Sequence, residues 1–165
     1  MPAVTVSVLA DTHIRAGGRG LPKAAWDILN RADLILHAGD VVDGDLLDRL
    51  SLVAPVHAVL GNNDHALEGV LAPTVEMAIA GVRVGMVHDG GPSAGRAARL
   101  QRRFPTAKVV VFGHSHAPLN EWALTGQLLF NPGSAMQRRR QGHHSMGELV
   151  LAEGQVVSHQ VIWLD

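Results

Sequence analysis

Val4-Thr5-Val6-Ser7-Val8-Leu9-Ala10-Asp11-Thr12-His13 begins with β-branched and apolar residues and ends abruptly in ionisable ones. Val4 to Ala10 reads as a buried strand that stops at Asp11. The pattern recurs twice. Asp33 to His37 runs into Ala38-Gly39-Asp40, and Pro55 to Leu60 runs into Gly61-Asn62-Asn63-Asp64. Between the first two strands lie a loop at Gly17–Gly20 and a helix signal, with Pro22 at its start and Ala24, Ala25, Trp26, Ile28 and Leu29 behind it. Asp43 to Leu52 places Leu46, Leu47 and Leu50 on one helical face. The succession is βαβαβ, which predicts strands joined by helical crossovers.

Further along, the grammar changes to hairpins. Thr74 to Ile79 and Val82 to Val87 flank Ala80-Gly81, Trp122 to Leu124 and Leu128 to Phe130 flank Thr125-Gly126, and Met146 to Ala152 and Val156 to Trp163 flank Glu153-Gly154. A helix is predicted over Ser93 to Phe104, and a strand over Ala107 to Phe112 that ends at Gly113-His114-Ser115-His116. Runs such as Val109-Val110-Val111 suit a sheet covered on both faces. The expected fold class is therefore α/β, with two packed mixed β-sheets flanked by helices. No repeat, linker or low-complexity tract divides residues 1–165, so a single domain is expected.

Composition removes several functions. No cysteine is present, which excludes disulfides, thiolate metal sites and a cysteine nucleophile, whereas histidine occurs ten times. A transition-metal site would have to use imidazole, carboxylate and amide oxygen. Net charge is −1 and aromatics make up 4% of residues, so no dedicated nucleic-acid surface is expected. No apolar run reaches the roughly 20 residues of a spanning helix, and the apolar start carries no positive flank. A cytoplasmic location is the default expectation. Charge is uneven: residues 1–82 carry five basic and ten acidic groups, and residues 83–165 carry nine basic and five acidic. The arginines of the second half fit either a solvated face or attraction of an anionic substrate.

The informative residues share one structural place. Asp11 and His13, Asp40, Asn62, His88, and His114 with His116 all follow the C-terminal ends of predicted strands. Loops at the carboxyl ends of strands form the ligand crevice of open α/β sheets. Each short motif alone is weak, because Asp-x-His caps helices and Gly-Asp makes turns. Their joint occurrence, five segments in this order, is what carries information.

The motifs Asp11-Thr12-His13, Gly39-Asp40, Gly61-Asn62-Asn63-Asp64, His88 and Gly113-His114-Ser115-His116 resemble those of the calcineurin-like metallophosphoesterases. Asn131-Pro132-Gly133-Ser134 is similar to a loop of that family's small single-domain phosphodiesterases. The resemblance spans roughly residues 4–134 and implies a four-layer sandwich holding two divalent ions. It assigns Asp11, His13, Asp40 and His116 to one ion, and Asp40, Asn62, His88 and His114 to the other, with Asp40 bridging. Manganese is favoured by the resemblance, and iron, zinc or nickel also suit such donors. The implied reaction is hydrolysis of a small phosphate ester, most directly a phosphodiester, by in-line attack of a metal-bridging hydroxide. Asp40, Asn62 and Asn63 are the residues implied closest to the chemistry.

Two positions depart from the family pattern. Asn63 replaces a histidine thought to assist the leaving group, and it can donate a hydrogen bond but not a proton at neutral pH. His65 either takes over that task or faces solvent. Asp89 follows His88 where many relatives have glycine, and it either orients the His88 ring or makes a turn. His37 and His57 are expected to be hydrogen-bonded structural residues. Arg138-Arg139-Arg140 with His143 and His144 forms either a phosphate-reaching loop or a solvated tip. A protein-interaction scaffold of the same fold, like the retromer subunit of this family, is the alternative function. Exposed hairpins leave a homo-oligomer open.

Overall fold

The structure, a computed structural model, describes residues 2–165. Strands β1 (Val4–Leu9), β2 (Leu34–His37) and β3 (Val56–Ala58) alternate with helices α1 (Lys23–Leu29) and α2 (Asp45–Ser51). Then follow β4 (Thr74–Ile79), β5 (Val82–Asp89), helix α3 (Arg96–Arg103), β6 (Val109–Gly113), β7 (Leu119–Trp122), β8 (Leu128–Asn131), β9 (Ser145–Ala152) and β10 (Gln155–Trp163). Two five-stranded sheets result, in the orders β10-β9-β1-β2-β3 and β4-β5-β6-β8-β7. Each has a parallel core, β1-β2-β3 in one and β5-β6-β8 in the other, flanked by antiparallel strands. The mixed two-sheet expectation holds.

Strand alternation builds the four layers. Successive side chains point to opposite faces. Val6 and Val8 of β1, with Val109 and Val111 of β6, enter the core between the sheets, where Met86, Phe130 and Leu149 join them. Leu9 and Ile35 point outward and pack under α1 and α2, against Ala25, Leu29, Leu46 and Leu50. Val110 and Phe112 point outward on the other sheet, under Leu100 of α3 and Phe104 just after it. The helices thus cover the two outer faces. Phe104 needs glycine beneath it, since a Cβ on Gly85 would lie 2.6 Å from its ring. Truncating Phe104 to alanine is expected to cost about 3–5 kcal/mol.

Several element boundaries differ from the sequence reading, and one short element is added. The hairpin expected at Trp122–Leu124 uses Leu119–Trp122 instead, because Ala123 N–H donates to the Gln127 carbonyl and closes the turn there. Leu124 is left fully exposed on that turn. Helix α3 begins at Arg96 rather than Ser93, since Gly95 adopts a left-handed φ of 73° just before it. A short 3-10 turn at His65–Leu67 had no apolar period to announce it. Among the described residues, no helix is long and apolar enough to cross a membrane.

Candidate metal centre

The carboxyl ends of β1, β2, β5 and β6 meet at the seam between the two sheets. The first two loops run side by side: Asp11 N–H donates to the Gly39 carbonyl and His13 N–H to the Asp40 carbonyl, both at 2.9 Å. The ends of β5 and β6 bring His88, His114 and His116 against them. Donor atoms of Asp11, His13 and His116 lie mutually within 4.8 Å, and so do those of Asp11, Asp40 and His88. Asp40 Oδ2 sits 3.5 Å from His13 Nε2 and 3.4 Å from His88 Nε2. Asn62 Oδ1 lies 2.9 Å from His88 Nε2 and 3.1 Å from His114 Nδ1. All seven residues singled out from the sequence therefore touch one another around a single crevice.

Local backbone geometry makes this possible. Asp11, His13, Asp40, His114 and His116 all have positive φ, between 48° and 73°, which L side chains rarely adopt. Each such conformation costs on the order of 1 kcal/mol and persists only where the surroundings enforce it. The motif glycines supply room beside them. A Cβ on Gly61 would fall 2.2 Å from the Asp40 nitrogen and 2.3 Å from its Oδ1, and one on Gly39 would fall 2.7 Å from His88 Nδ1.

Backbone groups also choose the imidazole tautomers. A carbonyl only accepts, so His88 Nδ1–H donates to the Ala38 carbonyl at 2.7 Å, and His116 Nδ1–H donates to that of Gln137. Both rings thus turn Nε2 toward the crevice, a lone pair when the ring is neutral and an N–H toward Asp40 when His88 is protonated. The partner of His88 is Ala38, not Asp89. Asp89 makes a turn by accepting Gly91 N–H, and its other oxygen lies 3.9 Å from His114 Nε2.

Three polar residues that are not themselves candidate ligands hold this arrangement. Asp64, fully buried, accepts the N–H groups of Asp40, Val42 and Gly61. Ser134 Oγ donates to the Asp11 carbonyl at 2.7 Å and accepts from Gln137 N–H, the residue that holds His116. Asn131 donates to the Gly113 carbonyl and accepts from Gly133 N–H. The Asn-Pro-Gly-Ser loop is therefore a brace between the Asp-x-His and Gly-His-x-His segments. Asn63 directs its backbone N–H to Asp40 Oδ1 and its side-chain amide to Asp40 Oδ2, each at 2.9 Å. His37 is buried and structural, accepting Gly39 N–H at Nδ1 and donating from Nε2 to Thr12 Oγ1. His57, expected to be hydrogen-bonded, instead exposes a side chain on the edge strand β3 that makes no hydrogen bond among the described residues. His65 faces solvent and meets Glu68.

The electrostatics are those of a site that lacks counter-charge. Burial pushes the Asp11 carboxyl up to about 7. Burial also pushes Asp40 up, but hydrogen bonds from His88 and Asn63 outweigh it and hold this carboxyl below its usual range. Burial lowers His116 to about 4 and also lowers His13, whereas His88, despite burial, is raised by its bond to Asp40. Asp11 Oδ2 is buried with no hydrogen-bond partner. His13 Nε2 and His116 Nε2 face each other at 3.3 Å. An orphaned carboxylate oxygen and opposed ring nitrogens fit cations held between them, and the oxygen and nitrogen donor set suits borderline divalent metals.

The arginine helix and loop are also placed. Arg96 stacks on Phe112 and donates to the Gly91 carbonyl, and Arg99 donates to the Gly90 and Pro92 carbonyls. They brace the loop after β5. His143 and His144 tie to Asp165, and Arg138 closes its own loop onto the Gly142 carbonyl. Arg139, between them, is exposed, and its charge acts on Asp11, His13 and His116.

Comparison with known proteins agrees with this geometry. Residues 4–154 match the family model described as the calcineurin-like phosphoesterase superfamily domain. A probable metallophosphoesterase of Methanothermobacter thermautotrophicus is 36% identical over 134 residues, covering 78% of this chain and 76% of that protein. Vacuolar protein sorting 29 from Cryptosporidium parvum superposes with a TM-score of 0.79 at 20% identity, covering 98% of each chain. A structure titled as a novel archaeal phosphodiesterase superposes with a TM-score of 0.72 at 20% identity, covering 96% of this chain and 99% of its own. The two structural likenesses establish shared fold, and the sequence matches establish descent: the chain belongs to the calcineurin-like phosphoesterase superfamily, a metal-dependent family.

Proposed function

We propose that the protein is a binuclear metal-dependent phosphodiesterase. The observation that supports this most is Asp40 Oδ2, which lies within 3.5 Å of imidazole nitrogens on both sides of the crevice, from His13 and from His88. Asp11, His13, Asp40 and His116 would hold one divalent ion, and Asp40, Asn62, His88 and His114 the other. Bound there, the ions would supply Lewis acidity and a water acidic enough to ionise near neutral pH.

The chain's own residues set up the rest. Asn63 fixes both oxygens of Asp40 and so keeps that carboxylate from rotating. The Ala38 and Gln137 carbonyls keep the His88 and His116 lone pairs turned inward. Arg139 brings positive charge to the mouth of the crevice, where an anionic phosphoryl group must enter. No acidic side chain stands at the Asn63 position to protonate a leaving oxygen. Esters of acidic alcohols should therefore react fastest. Manganese is the metal we favour.

The alternative is a protein-interaction scaffold, and the likeness to vacuolar protein sorting 29 supports it at the level of fold. One experiment separates the two. Metal-stripped protein is titrated with manganese, followed by metal content and by hydrolysis of bis(para-nitrophenyl) phosphate and para-nitrophenyl phosphate. Two equivalents of metal and faster turnover of the diester are expected. Metal-independent stability with no hydrolysis of either ester would favour the scaffold.

A further inference from the structure

Beside His13 the crevice continues as a groove. Its near compartment, about 220 Å³, is lined by Thr12, His13, Arg15, Arg19, Met136 and Gln137. Arg19 and Met136 also line a far compartment of about 410 Å³, so the two adjoin at these side chains. The far compartment is walled by Leu21, Pro22, Ala135 and Leu164, and the His144–Asp165 hydrogen bond, 2.7 Å long, closes its rim. Neither the Arg15 nor the Arg19 side chain makes a hydrogen bond or ion pair among the described residues. The groove is thus cationic where it leaves the candidate metal centre and apolar beyond.

We propose that this groove binds the retained ester arm of the substrate, and that the substrate class is phosphodiesters of an apolar alcohol. The inference rests on the phosphodiesterase reading and extends it to specificity. Three observations carry it. The near compartment opens on His13, so an arm attached to phosphorus at the metals enters it directly. The arginines there match the charge of a phosphoryl group and of nothing apolar. The far compartment has apolar walls and no phenylalanine, tyrosine or tryptophan to stack on a base, and the His144 imidazole at its rim is tied to Asp165, which favours an aliphatic or compact apolar arm over a nucleoside. Polar groups placed few and early, followed by apolar wall, is the usual division between orientation and affinity in a ligand cleft.

Calorimetric binding tests this without turnover, using the product such a reaction would release. Methyl, butyl and hexyl phosphate are titrated into manganese-loaded protein. Each methylene that leaves water is worth about fourfold in affinity when fully buried. Because the groove is open on one side, we expect at least about thirtyfold from methyl to hexyl phosphate. Equal affinities across the wild-type series would overturn the proposal. Leu164→Asp places a charge in the far compartment and is expected to flatten the series while leaving methyl phosphate binding intact. A slope that survives this change would mean the arm lies elsewhere. Arg15→Gln, which touches the near compartment and not the far one, is expected to weaken all three ligands by the same factor, and a loss confined to hexyl phosphate would contradict its placement at the phosphoryl end. If the series climbs but no diester is hydrolysed, the groove stands and the phosphodiesterase reading falls.

Discussion

The two sheets contribute to the crevice in different chemical currencies. The β1-β2-β3 side delivers Asp11, Asp40 and Asn62, oxygen donors, with His13 alone as imidazole. The β5-β6 side delivers only imidazoles, His88, His114 and His116. Their supports differ too. Asp40 is pinned by the Asn63 N–H groups and by Asp64, from its own side, whereas Asp11 Oδ1 also accepts His114 N–H from across the seam. The imidazoles are pinned from elsewhere: His88 by the Ala38 carbonyl at the end of β2, and His116 by the loop after β8. Neither sheet could present a competent donor set alone. The seam is where the fold needs a cation, and the two sides should respond differently when damaged.

Asp40 belongs to both sides and should give the largest effect. Asp40→Asn keeps the shape, removes the charge and leaves an amide that cannot neutralise cations. We expect at least about a thousandfold loss in kcat/KM for a diester, equivalent to several kcal/mol of charge stabilisation. The apo fold should survive, read as unchanged far-ultraviolet circular dichroism. A variant that keeps a tenth of wild-type activity would show that Asp40 is not shared.

The next pair of variants compares the two kinds of support. Asp64→Ala strips the acceptor from three backbone N–H groups on the oxygen-donor side. We expect a stability loss of about 3 kcal/mol, or roughly 6–12 °C in Tm, even without metal. Ser134→Ala cuts the link from Asp11 to the loop that holds His116. Here the expectation is a smaller loss of apo stability with a roughly tenfold to hundredfold weaker metal affinity. Equal effects of the two variants on both readouts would erase the distinction between the sides.

How far this was visible in the sequence follows the same division. The two sheets and the gathering of the candidate ligands at strand ends were legible because strand period, helix period and strand-end polarity all act locally. Asp40 and Gly39 stand together after a strand, and that adjacency is the signal. The supports were less legible because they are made across long separations: Ser134 bonds a carbonyl 123 positions away, and Ala38 bonds a ring 50 positions away. A backbone carbonyl leaves no mark in the residue code. Asp64 stood out only as the last residue of the Gly-Asn-Asn-Asp segment, and its task of holding Asp40 and Val42 from another loop needed coordinates. The five positive φ values were also hidden, since aspartate and histidine enter that region only when the surroundings enforce it. The displaced β7 strand shows the remaining weakness: a turn's hydrogen bond, not residue preference, chose between Trp122 and Leu124.

The smallest effect at neutral pH should come from His37, which sits behind the oxygen-donor side and supports it while neutral. Burial chiefly, with repulsion from His88, lowers its pKa from 6.5 to about 3. Unfolded, the ring takes up a proton near pH 6.5, whereas folded it does so only near 3. Between these values the unfolded state binds more protons, so this group removes stability as pH falls. Asp11 works the other way: its raised value means the folded state keeps a proton between about 7 and 3.8, and that favours folding as pH falls. The two act on the same window, so wild-type protein alone cannot separate them. His37→Gln keeps a donor toward Thr12 and cannot titrate. Urea unfolding in the presence of chelator, at pH 7.5 and at pH 5, isolates the histidine by difference. Relative to its own value at pH 7.5, wild type should lose about 2 kcal/mol more than the variant by pH 5. Parallel profiles would mean that the ring is protonated in the folded state, and that the Gly39 N–H faces no lone pair at Nδ1.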